Sequence, residues 1–209
     1  MRLRRFALIL IMPLWLAACG GPAEPVWAPD EAVGRYAYRH DGPPEVRLYT
    51  VVSTRNGSGG HSGLLINAPS GRILFDPAGT FSLPFTPERN DVHFGMTDNA
   101  VKVYIDYHAR ETFDVMEQRL TVSPVQAELL AQLVKEYGAV PKAQCSLAIT
   151  RVLSQVPGFD AIPVSYFPVS TSNRFGQLPG VSARVISDDD ADKNHNVLFQ
   201  ATMEGPARG

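Results

Sequence analysis

The apolar positions of this chain come in short, dense runs first and in helical stripes later. Between residues 47 and 76 three runs follow one another: RLYTVVS (47–53), HSGLLIN (61–67) and RILFD (72–76). They are short, rich in β-branched residues and bounded by turn formers, so each predicts a strand. STRNGSGG is the loop after the first run, and APSG is a turn tight enough to fold the second and third into an antiparallel hairpin. Residues 77–100, with prolines at 77, 84 and 87, predict a loop. AVKVYIDYH (100–108) alternates, Val101, Val103, Ile105 and Tyr107 against Lys102, Tyr104, Asp106 and His108, which predicts another strand. ETFDVMEQRL predicts a further short one.

The period then changes. Ser123 followed by Pro124 and by Gln126 three places on is a helix-start signature, an N-cap with its reciprocal partner and proline in the first turn. Val125, Leu129, Leu133, Val134 and Tyr137 share one face, and Gly138 ends the helix. A second helix is expected from about Cys145 to Val156, with Leu147, Val152, Leu153 and Val156 inward and Pro157-Gly158 as its stop. VSARVIS (181–187) and NVLFQATM (196–203), parted by an acidic turn, fit two antiparallel strands. With no internal repeat, the pattern gives an α+β class: grouped helices against a mostly antiparallel sheet.

The N-terminal end stands apart from this pattern. MRLRR followed by FALILIMPLWLA is a basic segment and an apolar core, too short for a relaxed membrane span of roughly 20 residues, and it reads as a secretory signal over 1–18. Leu16-Ala17-Ala18-Cys19 resembles a bacterial lipobox, which makes Cys19 the expected lipidation site and a lipid anchor the expected membrane partner. Gly20 after it, by analogy with such lipoproteins, points to the outer membrane, facing the periplasm. Residues 19–45, rich in Pro, Gly, Ala and charge, are expected to be a flexible tether, and 46–209 a single domain. Taking Arg2, Arg4 and Arg5 from a chain of net charge −2 leaves −5. No basic stripe is present, so nucleic acid is excluded as a partner.

The same reading isolates Cys145. There are two cysteines, and if Cys19 carries lipid, Cys145 is unpaired in an oxidising compartment, where a free thiol calls for a reason. It sits at the expected first turn of a helix, where the dipole and unpaired N–H groups favour a thiolate. His61 opens one strand of the hairpin and Asp76 closes the other, so the antiparallel turn brings them side by side. Singly, each has a plain alternative: a buried small hydrophobe, a structural histidine, a turn former. Together they are the parts of a thiol nucleophile, its base and the acceptor that orients the base.

GGHSGLLI, the following ILFDPAG and the later QCSLAITRVL resemble the NlpC-like branch of the papain-like cysteine hydrolases. The histidine hairpin precedes the cysteine helix, which is similar to the circularly permuted branch of lecithin:retinol acyltransferase-like proteins and bacterial relatives of the YiiX and YaeF kind. The resemblance covers roughly 47 to 180. It implies a papain-like domain, an antiparallel sheet or half-barrel packed on a small group of helices. It also implies Cys145 as nucleophile, His61 as base and Asp76 as orienting residue, the third position being the one that varies in the family. The implied substrate is a cell-wall peptide or an acyl lipid, and no cofactor is implied. His40, His93, His108 and His195 fall in loop, tail or exposed-strand contexts, and no HxxxH, HExxH or CxxC spacing supports a metal. A different class, a non-catalytic envelope lipoprotein that binds peptides or a partner protein, fits the same pattern with an occluded Cys145.

Overall fold

A computed structural model describes residues 21–191 and 196–205. Cys19, the expected signal segment 1–18 and His195 lie outside the described residues. Among the described residues the fold is mixed α+β. Seven strands, β1 (Glu45–Ser53), β2 (Gly59–Ala68), β3 (Gly71–Phe75), β4 (Glu88–Arg89), β5 (Val92–His93), β6 (Phe113–Thr121) and β7 (Ser182–Ile186), form one antiparallel sheet in the order β4-β5-β3-β2-β1-β6-β7. Six helices accompany it: α1 (Asp30–Arg35), α2 (Asp98–His108), α3 (Pro124–Tyr137), α4 (Cys145–Leu153), α5 (Pro168–Phe175) and α6 (Asn196–Glu204).

The dense runs LLI and ILF are explained by what covers the sheet. Alternate residues face two different cores. Val46, Leu48, Leu64, Ile66, Ile73 and Phe75 pack on Ala127, Leu130, Ile149 and Val152 of α3 and α4. Tyr49, Leu65 and Leu74 pack on the other side with Ala100, Val101 and Tyr104 of α2 and Ala201 of α6. The β1–β2 and β2–β3 registers put Leu64 opposite Leu48 and Phe75, so one face stays in step across three strands. Helix α3 starts as its sequence predicts: the Ser123 side chain accepts from the Gln126 amide at 3.2 Å, and the Gln126 side chain accepts from the Ser123 amide at 2.9 Å.

Two segments expected as strands are helices. Residues 98–108 form α2, capped by the Thr97 side chain, which accepts from the Ala100 amide at 3.1 Å. Its inward stripe is Ala100, Val101, Tyr104 and His108, a helical spacing hidden beneath the alternation of VKVYIDY. His108 is therefore buried at a helix end rather than on an exposed strand. Residues 196–204 form α6, with Val197 and Ala201 inward four apart. The expected loop 77–100 carries the β4–β5 hairpin, which extends the sheet beside β3 and buries His93.

The segment expected as a tether lies along the domain from residue 21 onward. The Lys142 amide donates to the Gly21 carbonyl at 3.3 Å, Asn90 to Val26 at 2.9 Å and Arg72 to Tyr38 at 2.9 Å. Arg89 lies over the Trp27 ring at 4.6 Å and donates to the Ala28 carbonyl at 2.8 Å. The segment pairs with the edge strand β4 through a Trp27–Arg89 bridge, which covers an otherwise open sheet edge.

Candidate active site

The site is built where β2 begins. Val51 of β1 pairs with His61, and Val52 pairs with Gly59, so Gly60 is an extra residue in the ladder. Such a bulge re-aims the next side chain, here His61. On the other edge of β2, Leu64 pairs with Phe75, which carries Asp76 alongside Gly63 as β3 ends. His61, Gly63 and Asp76 thus face the same side of the sheet, towards α2. The His61 Nε2 lies 2.6 Å from Asp76 Oδ1. Tyr104 of α2 donates its hydroxyl to the same oxygen at 2.8 Å.

Two glycines make room for this carboxylate. A Cβ on Gly63 would stand 2.1 Å from the Tyr104 hydroxyl, and one on Gly79 would stand 1.8 Å from Asp76 Oδ2. Both distances are far inside van der Waals contact, so neither position accepts a side chain without displacing the carboxylate or the tyrosine. Asp76 is 1% exposed, and its Oδ2 has no hydrogen-bond partner among the described residues.

Cys145 is the first residue of α4, whose start packs against β2. Its thiol lies near enough to the His61 ring for each to favour the other's charged form. With Nε2 engaged by Asp76, the nitrogen left for the thiol is Nδ1. The backbone N–H groups of Ser62 and Ser146 also favour the charged sulfur. Gln144, at the N-cap, makes no side-chain cap bond, so the amides of the first turn are left for the sulfur or for an incoming oxygen. The preceding Ala143 has φ 64°, a left-handed conformation that a non-glycine residue rarely takes.

The electrostatics follow from these contacts. Burial pushes the Cys145 thiol up, but its bond to His61, the positive imidazolium and the two backbone amides outweigh that and hold it below the ordinary thiol value. Burial likewise opposes a charge on His61, yet the Asp76 carboxylate and Cys145 raise it to about 10. Asp76, which burial alone would push up, is held far below the usual carboxylate range by His61 and, more weakly, by His108 and His93. The group can therefore rest as thiolate, imidazolium and carboxylate.

Signals for two more site residues are in the sequence, behind the strand-like alternation of 100–108. Tyr104 is one. His108 is the other: its ring lies parallel to that of His61, with centroids 5.4 Å apart, and its Nδ1 is 2.8 Å from the Tyr104 carbonyl. The Thr97-Asp98 start and the 101, 104, 108 spacing would have placed both on one helix face. A cavity of about 190 Å³ opens here, lined by His61, Gly60, Thr80, Tyr107, His108 and Arg110 among others. A larger one, about 310 Å³, lies across the Ala78–Thr80 loop, walled by Glu24, Glu88, Asp91 and Lys142. The smaller cavity is the one walled by His61 and His108. Cys145 itself is 8% exposed.

Donor atoms of His61, Asp76 and His108 lie within 4.8 Å of one another, close enough to converge on one metal ion. The Nε2 of His61 and Oδ1 of Asp76 are already bonded to each other, and Tyr104 holds the same oxygen, so the set is arranged as a hydrogen-bond chain ending at a thiol. Comparison with protein-family models, with curated proteins and with solved structures gives no match to this chain.

Proposed function

We propose that this chain is a thiol hydrolase or acyltransferase with a permuted papain-like, NlpC-like domain, borne on an outer-membrane lipoprotein that faces the periplasm and is anchored through Cys19. The observation that carries the reading is the continuous chain from the Cys145 thiol through the His61 ring to the Asp76 carboxylate.

On this reading the Cys145 thiolate attacks an amide or ester carbonyl, and the developing oxyanion is met by N–H groups at the start of α4. The His61 imidazolium then protonates the leaving amine or alcohol, which departs and leaves a thioester on Cys145. Neutral His61 next takes a proton from water or from an acceptor, whose oxygen or nitrogen attacks the thioester, and the thiolate is released. Asp76 keeps Nε2–H bonded and stabilises the imidazolium throughout, and Tyr104 fixes the carboxylate. A cell-wall peptide and an acyl lipid both present such a carbonyl.

The burial of Cys145 favours a second reading, a non-catalytic lipoprotein that uses the same fold to bind envelope peptides or a partner protein. One experiment separates them. In full-length Cys19→Ser protein, Cys145 is the remaining thiol, and its alkylation by iodoacetamide is followed from pH 4 to 9. Catalysis predicts fast reaction near pH 6, with His61→Ala moving the profile towards an ordinary thiol value of about 8.5. An inert Cys145, or one that titrates alike in both proteins, leaves the binding reading in its place.

A further inference from the structure

The Cys145–His61–Asp76 chain leaves His108 unused, although it lines the same cavity as His61. Three observations define its chemistry. Its Nδ1 is 2.8 Å from the Tyr104 carbonyl, an acceptor only, so Nδ1 carries the hydrogen and Nε2 carries the lone pair. The ring is held between Tyr104, at 4.5 Å, and Tyr107, at 5.0 Å, and lies parallel to His61, so it has little freedom to turn. It faces a cavity whose other wall is the base itself. Burial, with the nearby positive charge of His61 and Arg110, keeps this second imidazole uncharged down to about pH 4.

A fixed, neutral acceptor beside a general base answers one need of the second half-reaction. The group that attacks the thioester has to be held with its lone pair towards the carbonyl and its hydrogens directed elsewhere. Water has two hydrogens, and His61 can take one of them. We propose that His108 is a second catalytic imidazole: its Nε2 accepts a hydrogen bond from one hydrogen of the water that discharges Cys145, while His61 takes the other as the proton that is transferred. In this step the water oxygen bonds to the thioester carbon, its proton passes to His61, the C–S bond breaks, and the electron pair returns to sulfur as the thiolate paired with the imidazolium. The acid product keeps the hydrogen that was shared with His108. Acylation needs no such water, so His108 acts in the second step only. This inference rests on the thiol reading above and adds a residue to it.

The test is burst kinetics of full-length Cys19→Ser protein with p-nitrophenyl acetate, with and without His108→Asn. Asparagine keeps a donor near the Tyr104 carbonyl and loses the acceptor at the position of Nε2. The expected result is a burst rate within about twofold of the parent, a steady rate lower by about tenfold or more, the low end of general base effects, and acetyl-Cys145 accumulating by mass spectrometry. Hydroxylamine, a strong nucleophile without help, is expected to discharge the variant as fast as the parent. His108→Gln, which carries an amide further out towards the cavity, is expected to recover part of the steady rate. Equal loss of burst and steady rate in both variants, or no loss in either, overturns the role given to His108. A parent protein with no burst and no acetyl group on Cys145 overturns the thiol reading itself, and the role of His108 with it.

Discussion

Gly63→Ala tests how tightly the carboxylate is packed. The new methyl would sit 2.1 Å from the Tyr104 hydroxyl, 3.1 Å from its ring carbon and 3.4 Å from Asp76 Oδ1. Contact needs about 3 Å or more, so the hydroxyl has to move by about 1 Å, which breaks its 2.8 Å bond to Asp76. The ring has no room to yield, because Tyr49, Phe81 and His108 surround it at 5.5, 5.2 and 4.5 Å. A lost hydrogen bond to a buried charge costs about 1.5–3 kcal/mol, and overpacking adds about 1–3 kcal/mol. The expected loss is about 3–5 kcal/mol in urea unfolding, a large share of a typical 5–15 kcal/mol. Tyr104→Phe removes the clashing oxygen, and the methyl then meets only the ring edge. In that background the same substitution is expected to cost about 1 kcal/mol, so the double-mutant cycle shows a coupling of about 2 kcal/mol or more. Equal costs of Gly63→Ala in the two backgrounds would refute the packing argument.

Three further outcomes are expected. Asp76→Asn leaves His61 without its charged partner; removing one member of a buried pair costs about 3–5 kcal/mol, and Cys145 alkylation at pH 6 is expected to fall at least about tenfold as the thiol returns towards its ordinary value. Acid stability reports His108: its folded value is lowered to about 4, below an unfolded value of about 6.5, so the unfolded chain takes up the proton first as pH falls. Stability is present above about pH 6.5 and declines towards pH 4, by up to about 1.4 kcal/mol per pH unit, and equilibrium unfolding of His108→Asn should lack that slope. Ser123→Ala, which removes the capping box of α3 far from the site, is expected to cost about 1 kcal/mol in unfolding and to leave the alkylation profile unchanged.

The parts of the fold legible in the sequence were those where local and tertiary signals agree. RLYTVVS, HSGLLIN and RILFD are buried on both faces, so their apolar runs are unbroken and their strand nature is plain. Ser123-Pro124 and Gln126 state the start of α3 without help from the rest of the chain. The neighbourhood of His61 and Asp76 followed from hairpin geometry, and the helix start at Cys145 from its own pattern; the structure brings the three together. Helix α2 was hidden because Val103, Ile105 and Tyr107, half-buried beside its inward stripe, imitate strand alternation. Its inner side carries Tyr104 and His108, polar groups whose burial makes sense only beside Asp76 and His61. Gly63 and Gly79 had no local signal either, because what excludes a side chain there arrives from elsewhere in the sequence. The β4–β5 hairpin, with two residues per strand, is too short for any periodicity to show.

The pinned N-terminal segment has a consequence for reach. On the proposed lipidated form, Cys19 is joined to the membrane, and Gly21 is already held by the amide of Lys142, three residues before the nucleophile. Two residues of extended chain span about 7 Å at most. On that form the leash is therefore nearly all taken up, and the working radius of the protein is set by its body rather than by its linker. A protein so moored does not sweep the compartment beyond the bilayer; on the proposed thiol reading, its substrate has to be delivered to the lipid surface, or to belong to it.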